Sequence, residues 1–170
     1  MGTYFIGSFP TFTTGPAAKQ TLTTSGTTYV MLQVAAVAAN PVLVLEWGVS
    51  FDQSVAGMPA QCELIAASSA QTGLTAHVAS GITPFLLYAD VGASSLSLGT
   101  AATGYGPVTA ITPGTVRVGD IQNVAPTNQY VKQHPLGREF FVAGGTFAQI
   151  RVTPRTASLG AYAYMLVVDI

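Results

Sequence analysis

Apolar side chains at every second position constrain this chain more than any other feature of its sequence. Successive side chains of a β-strand point to opposite faces, so a period of two predicts a strand with one buried face. The clearest case is residues 43–51, where the even positions from Glu46 onward are polar or glycine. The odd positions, which we expect to face a core, are Leu43, Leu45, Trp47, Val49 and Phe51.

Other segments with this alternation are separated by turn-forming residues such as Asn40-Pro41 and Gly144-Gly145. Strands are predicted at residues 30–36, 43–51, 61–67, 115–121, 129–133, 146–153 and 161–170, with shorter pieces between 68 and 114. This spacing is typical of about eight strands in a sandwich or barrel. We therefore expect an all-β fold, a two-sheet antiparallel β-sandwich of jelly-roll type.

The first 26 residues lack clean alternation and contain Pro10, Gly15, Pro16 and Gly26. An extended segment of this kind can add to the open edge of a neighbouring sheet. The prediction is an extended N-terminal arm over residues 1–26 and a β-sandwich domain over residues 27–170.

Charged residues make up only 8% of the chain, whereas about 25% is typical of soluble domains. The formal net charge is −1, and a nearly neutral surface favours association between molecules. The alternative is a stable monomer whose surface carries few charged groups. The six lysines and arginines are scattered, so no cluster is present to neutralise several phosphates, and nucleic-acid binding is not expected.

No membrane-spanning segment is expected, because the longest apolar stretch, residues 30–49, is interrupted by Gln33, Asn40, Pro41 and Glu46. No basic region precedes an apolar run at the N-terminus, so we expect synthesis and folding in a cytoplasm. Cys62 is the only cysteine and is expected to be buried as a small apolar residue.

Catalytic chemistry has little support in the sequence. His77 and His134 stand alone, without partners at metal-ligand spacing, and no nucleophile or phosphate-binding motif occurs. Glu46, Asp52 and Glu63 resemble a glycosidase pair only if adjacent strands bring them together, and a role on a solvated face is the alternative. We expect no catalytic, cofactor-binding or metal-binding residue and no small-molecule substrate, so the chain is not expected to be an enzyme.

Carbohydrate binding is an alternative function that composition does not exclude, because sandwich lectins present aromatic side chains and amides from their loops. The aromatic candidates are Trp47, Tyr88, Tyr105 and Tyr130. Trp47 lies on the apolar face of the strongest predicted strand, however, which favours a core position.

Two pairs of segments resemble small virion proteins encoded by tailed phages, especially phages of actinobacteria. The first pair is LEWGVSFD at residues 45–52 with CELI at 62–65, and the second is PTNQYVKQHPLGRE at 126–139 with FAQIRVT at 147–153. The resemblance covers residues 28–168. It implies a β-sandwich that decorates or cements the capsid by bridging major capsid subunits, as a homotrimer on the outer surface of the virion. It assigns no role to any single residue.

The segment 129–139 concentrates charge in a chain that is otherwise nearly uncharged, and two phenylalanines follow it. We predict a subunit interface formed by Lys132, His134, Arg138, Glu139, Phe140 and Phe141. The charged residues form ion pairs between subunits or only solubilise a loop, and the phenylalanines contact a neighbour or begin an inward-facing strand. A tail- or fibre-associated virion protein with a host-surface or carbohydrate-binding role is the alternative function, followed by a carbohydrate-binding module with no virion role.

Overall fold

A computed structural model describes residues 2–10, 18–37, 40–84 and 94–170. The described residues form strands and one short 3-10 turn, Ala79–Gly81, so the prediction of an all-β fold is confirmed. The strands are β1 (Thr3–Gly7), β2 (Gln20–Leu22), β3 (Tyr29–Ala35), β4 (Val42–Phe51), β5 (Ala60–Ala67), β6 (Thr75–Ala76), β7 (Thr83–Pro84), β8 (Gly104–Thr109), β9 (Val116–Val124), β10 (Gln129–Gln133), β11 (Phe140–Val142), β12 (Phe147–Thr153) and β13 (Leu159–Asp169).

The strands form two antiparallel sheets that pack face to face as a sandwich. Sheet I has the order β10-β4-β13-β1-β7, with β11 also paired to β4 and β2 to β13. Sheet II has the order β6-β8-β3-β12-β5-β9. The predicted two-sheet antiparallel architecture is confirmed. The jelly-roll subtype, an eight-stranded fold of two Greek keys, is not confirmed by sheets of seven and six strands.

The core lies between the sheets and is built from the inward-facing residues of both. Trp47 and Met165 of sheet I and Leu64 and Ile150 of sheet II are fully buried in one cluster. Cys62 belongs to the same cluster, and burial raises the pKa of its thiol to about 12. The interior is therefore apolar, and its only thiol is shielded from solvent.

Strand β4 departs from the predicted single apolar face at its N-terminal half. Trp47, Val49 and Phe51 are buried as expected, but Leu43 and Leu45 are not, and the prediction for these two is wrong. In the pairing with β13, Glu46 lies opposite Leu166 and Val44 lies opposite Val167. Leu45 is thus an extra residue, a β-bulge that reverses which side chains face the core. The inward-facing residues before the bulge are Val42 and Val44.

The segment assigned to an extended arm contributes two strands to the chain's own sheet I. β1 pairs with β13 on one side and with β7 on the other, and β2 pairs with the start of β13. Tyr4 and Ile6 of β1 are buried in the core, so apolar burial fixes this strand in place. Gly15 and Pro16 lie outside the described residues, as does Tyr88.

Three buried glutamines hold loops against the outer face of sheet II, a feature that the sequence did not predict. The Gln33 side-chain oxygen accepts hydrogen bonds from the Gln71 backbone N–H at 2.8 Å and from the Gln149 side chain at 2.7 Å. The Gln33 amide nitrogen donates to the carbonyl oxygens of Ala101 and Ala102. Polar groups without access to water need such partners, so the network joins two loops to β3 and β12.

Candidate subunit interface

One side of the sandwich brings together the edge of sheet I, formed by β10 and β11, and the edge of sheet II, formed by β9. Asp120 of β9 connects these two edges. Its carboxylate accepts a hydrogen bond from the Tyr130 hydroxyl at 2.8 Å and lies 3.3 Å from the Lys132 ammonium. The two edges therefore form one continuous surface.

All six residues that the sequence predicts as an interface line one shallow concavity of about 290 Å³ on this side. Lys132 comes from β10, Phe140 and Phe141 come from β11, and the remaining three lie in the loop between these strands. β9 supplies the opposite wall through Arg117, Val118 and Gly119. The structure thus places the predicted residues together and adds a wall that the sequence analysis missed.

The two phenylalanines point in opposite directions, because β11 is a strand. Phe140 is 8% exposed and belongs to the core, whereas Phe141 is 42% exposed. The Phe140 ring packs so closely on Gly119 that a Cβ atom at that position would lie 2.8 Å from it. The Arg117 guanidinium lies over the same ring, 4.8 Å from its centroid, and donates to the Phe141 carbonyl oxygen. Phe140 therefore supports the concavity, and Phe141 is available for an outside contact.

Hydrogen bonds within the loop between β10 and β11, and one to β4, order this loop. The His134 backbone N–H donates to the Leu45 carbonyl oxygen at 2.7 Å, and the Arg138 N–H donates to the Pro135 carbonyl oxygen at 2.9 Å. Gly137 has a φ of 78°, which favours glycine, and its N–H donates to the Glu139 carboxylate at 2.9 Å. The Arg138 side chain is exposed and forms no ion pair with any residue in the described part of the chain.

Burial, hydrogen bonds and nearby charges set the charge states of Asp120, Tyr130 and His134. Burial raises the pKa of this carboxyl group, but hydrogen bonds from Tyr130 and Gln122 and the nearby Lys132 charge outweigh burial and hold the pKa below its ordinary value. Burial and the bond to Asp120 raise the pKa of Tyr130 to about 12. Burial, with Lys132, lowers the pKa of His134, which is therefore neutral at neutral pH.

Replacing Asp120 with alanine is expected to lower the free energy of unfolding at pH 7 by about 2 kcal/mol, because the Tyr130 hydroxyl and Lys132 ammonium lose their acceptor. The ordinary pKa of 3.8 is lowered in the folded protein, so this contribution is present above pH 3.8 and is lost as the pH falls through the folded value. Urea unfolding of the unmodified protein and of Asp120→Ala between pH 7 and pH 3 measures the difference in their free energies of unfolding. This difference should become smaller as the pH falls.

The matched control is Asp52→Ala, which removes the carboxylate of the more exposed Lys19–Asp52 ion pair. Exposed pairs contribute about 0 to 1 kcal/mol, so its effect at pH 7 should be smaller. Equal losses for the two variants would contradict a special role for Asp120 in joining the edges.

A second groove, of about 620 Å³, lies on the outer face of sheet I. Phe5, Leu45 and Leu166 provide its apolar lining, and Glu46 and His134 provide polar groups. The Tyr164 ring stacks on Phe5 with centroids 5.0 Å apart, and the Tyr164 hydroxyl donates a hydrogen bond to the Glu46 carboxylate at 2.6 Å. The sequence pattern does not predict this groove, because the bulge at Leu45 reverses the expected faces of β4.

Of the aromatic residues considered for carbohydrate binding, the three that the structure describes, Trp47, Tyr105 and Tyr130, do not form a common surface. Trp47 is completely buried and contacts the half-buried Tyr130 edge to face, whereas Tyr105 packs against the buried His77 in another part of the fold. The carboxylates considered as a catalytic pair are also separated. Glu46 lies in sheet I and Glu63 in sheet II, and Asp52 pairs with Lys19.

No group of three or more histidine, cysteine, aspartate or glutamate side chains within residues 2–10, 18–37, 40–84 and 94–170 is arranged to hold a metal ion. These same residues contain no helix of the length and apolarity that crossing a membrane requires. The chain matches no protein-family model, no curated protein and no solved structure.

Proposed function

We propose that this chain is a structural virion protein of a tailed phage, one that decorates the capsid and bridges neighbouring major capsid subunits. The observation that carries the proposal is the concavity at the β9, β10 and β11 edges. It gathers Lys132, Arg138 and Glu139 next to the exposed Phe141, in a chain with only 8% charged residues. The resemblance of the segments around residues 45–65 and 126–153 to phage virion proteins supports the same function.

The proposed action is mechanical and not catalytic: the protein clamps adjacent shell subunits and resists their separation. Apolar contacts such as Phe141 contribute about 25 cal/mol per Å² buried, before the cost of association is subtracted. Many copies on one shell act together, so a modest contact per copy is sufficient. In this proposal the protein is made in the host cytoplasm, uses no cofactor, and lies on the outer capsid surface with the major capsid protein and copies of itself as partners. The resemblance implies three copies per assembly.

The test is the variant Arg138→Ala with Glu139→Ala, added to purified capsid shells at a concentration below saturation. Loss of both interface charges is expected to reduce occupancy about tenfold, corresponding to about 1.4 kcal/mol. Occupancy is measured from protein bound to sedimented particles. Arg155→Ala, which removes an exposed arginine away from the concavity, is the control and should bind as the unmodified protein does. Unchanged occupancy of the double variant would remove these residues from the interface.

The groove on sheet I favours a second candidate, a tail- or fibre-associated virion protein that contacts the host surface. The stacked Phe5 and Tyr164 rings beside the Glu46 carboxylate are the kind of surface that can hold a sugar ring. Images of intact particles separate the two candidates, because density for the protein lies over the shell in the first and along the tail in the second. A glycan array tests the groove directly, and reproducible binding that Phe5→Ala abolishes would favour the second candidate.

A further inference from the structure

The strands at the edges of the two sheets differ in length, and β9 is the longest of them. In the described part of the chain, sheet I ends in β7, of two residues, and in β10 and β11, of five and three residues. Sheet II ends in β6, of two residues, and in β9, of nine residues. Short edge strands expose few unpaired backbone groups, and this is one way in which proteins prevent sheets from joining. β9 lacks that protection.

The outward face of β9 is apolar. Val116, Val118 and Ile121 are 39%, 53% and 48% exposed, and they lie opposite the outward-facing residues of β5. β-branched side chains suit a half-buried pleated surface. Lysine and proline, which commonly guard open edges, are absent from the sequence of β9. Its protective features are a bulge at Gly119, where Leu64 lies opposite Asp120 and Ile65 opposite Val118, and two charged side chains, Arg117 and Asp120.

The charges of β9 are compatible with a second copy of the same strand. Arg117 and Asp120 are its only charged residues, and both turn toward sheet I, where they contact Phe140 and Tyr130. Antiparallel self-pairing lays the N-terminal half of one strand beside the C-terminal half of the other. An axis at the strand midpoint would place Asp120 opposite its own copy, whereas an axis between Val118 and Gly119 places Arg117 of each copy opposite Asp120 of the other. The second register brings opposite charges together and is the one that we infer. The net charge of −1 adds little repulsion between two copies.

We propose that β9 is a self-association edge, at which a second copy of this chain pairs its own β9 antiparallel across a two-fold axis. The two copies of sheet II then form one continuous sheet, and the exposed valines and isoleucine of each copy pack beside those of the other. A two-fold contact uses the same surface on both subunits, so the assembly closes as a dimer. This inference rests on the self-association part of the proposed function, but it gives two copies in place of the three that the resemblance implies, and it requires no capsid.

The first test is the mass of the purified full chain in solution, measured by sedimentation across a range of concentrations. The expected mass is twice that of one chain. Val118→Lys with Ile121→Lys places two charges of one sign on the pairing strand of each copy and is expected to weaken association about thirtyfold, because like charges then lie close together across the contact. Val78→Lys is the matched control, because Val78 is 50% exposed but lies outside β9, and it should remain dimeric.

A second measurement needs no variant and covers the case in which the lysine variant fails to fold. Backbone amide exchange of the unmodified chain is compared at dilute and high concentration. Exchange in β9 should slow on concentration, whereas exchange in the other exposed edge strand, β10, should not change. Equal behaviour of the two strands would overturn the proposal.

A mass of one chain at every concentration, or a mass of three chains, would also overturn pairing through β9. These outcomes are distinct from failure of the capsid role. A monomer or trimer that still covers purified shells would retain the proposed function without this contact, and a dimer that binds no shell would retain the contact without that function.

Discussion

Replacing Trp47 with alanine is expected to lower the free energy of unfolding by about 4 kcal/mol. Trp47 is completely buried at the centre of β4, where the indole ring belongs to the core cluster formed by both sheets. Removing it leaves a cavity that the surrounding strands fill only in part. It is also the only tryptophan, so unfolding in urea must be followed by far-ultraviolet circular dichroism and not by tryptophan fluorescence.

Trp47→Phe is the control for this variant, because it retains an aromatic ring and leaves a smaller cavity. The indole Nε1 has no hydrogen-bond partner among the described residues, so phenylalanine breaks no hydrogen bond there, and we expect a loss of about 1 to 2 kcal/mol. A loss below 1 kcal/mol for the alanine variant would contradict the core position of this residue.

Trp47→Ala should also affect the candidate interface. The Trp47 ring contacts Tyr130 edge to face, with centroids 5.4 Å apart, and Tyr130 in turn donates to Asp120. A cavity behind Tyr130 is therefore expected to loosen the bond that joins the two sheet edges. In the proposed capsid role, the Trp47→Ala variant should bind capsid shells less well than Trp47→Phe, even at temperatures where both remain folded.

The strands could be predicted from the sequence because alternation is a local signal. β10 spans the residues that the pattern indicates, Gln129–Gln133, and Trp47 faces the core as its position in the pattern requires. The bulge at Leu45 could not be predicted, because it depends on how β4 pairs with β13 more than a hundred residues later. The place of β1 beside β13 is equally long-range, and five residues carry too little pattern to predict it.

The candidate interface could be predicted from the sequence only where its residues lie close together along the chain. Residues 132–141 form the end of β10, the loop after it and the start of β11, so a local concentration of charge was a usable signal. Arg117, Gly119 and Asp120 belong to the other sheet and meet this segment only because the two edges lie side by side. A clue was present in Arg117 and Asp120, since charges are scarce in this chain.

Gln33 presents the second large effect: Gln33→Leu is expected to lower the free energy of unfolding by about 4 kcal/mol, although leucine is apolar and similar in size. Gln33 is completely buried, and its side chain satisfies the Gln71 N–H, the Gln149 amide and the carbonyl oxygens of two loop residues. Leucine leaves these groups buried without a partner, at about 1 to 3 kcal/mol for each one that water cannot reach. Urea unfolding measures the loss.

Gln129→Leu supplies the matched control, because Gln129 is an exposed strand residue and its replacement should change stability by no more than about 0.5 kcal/mol. A second variant, Gln149→Leu, removes the partner of the 2.7 Å hydrogen bond. Since one bond cannot be lost twice, the double variant should lose less than the two single variants added together. Strict additivity, or a Gln33→Leu loss as small as that of the control, would show that the two loops are held to sheet II by other contacts.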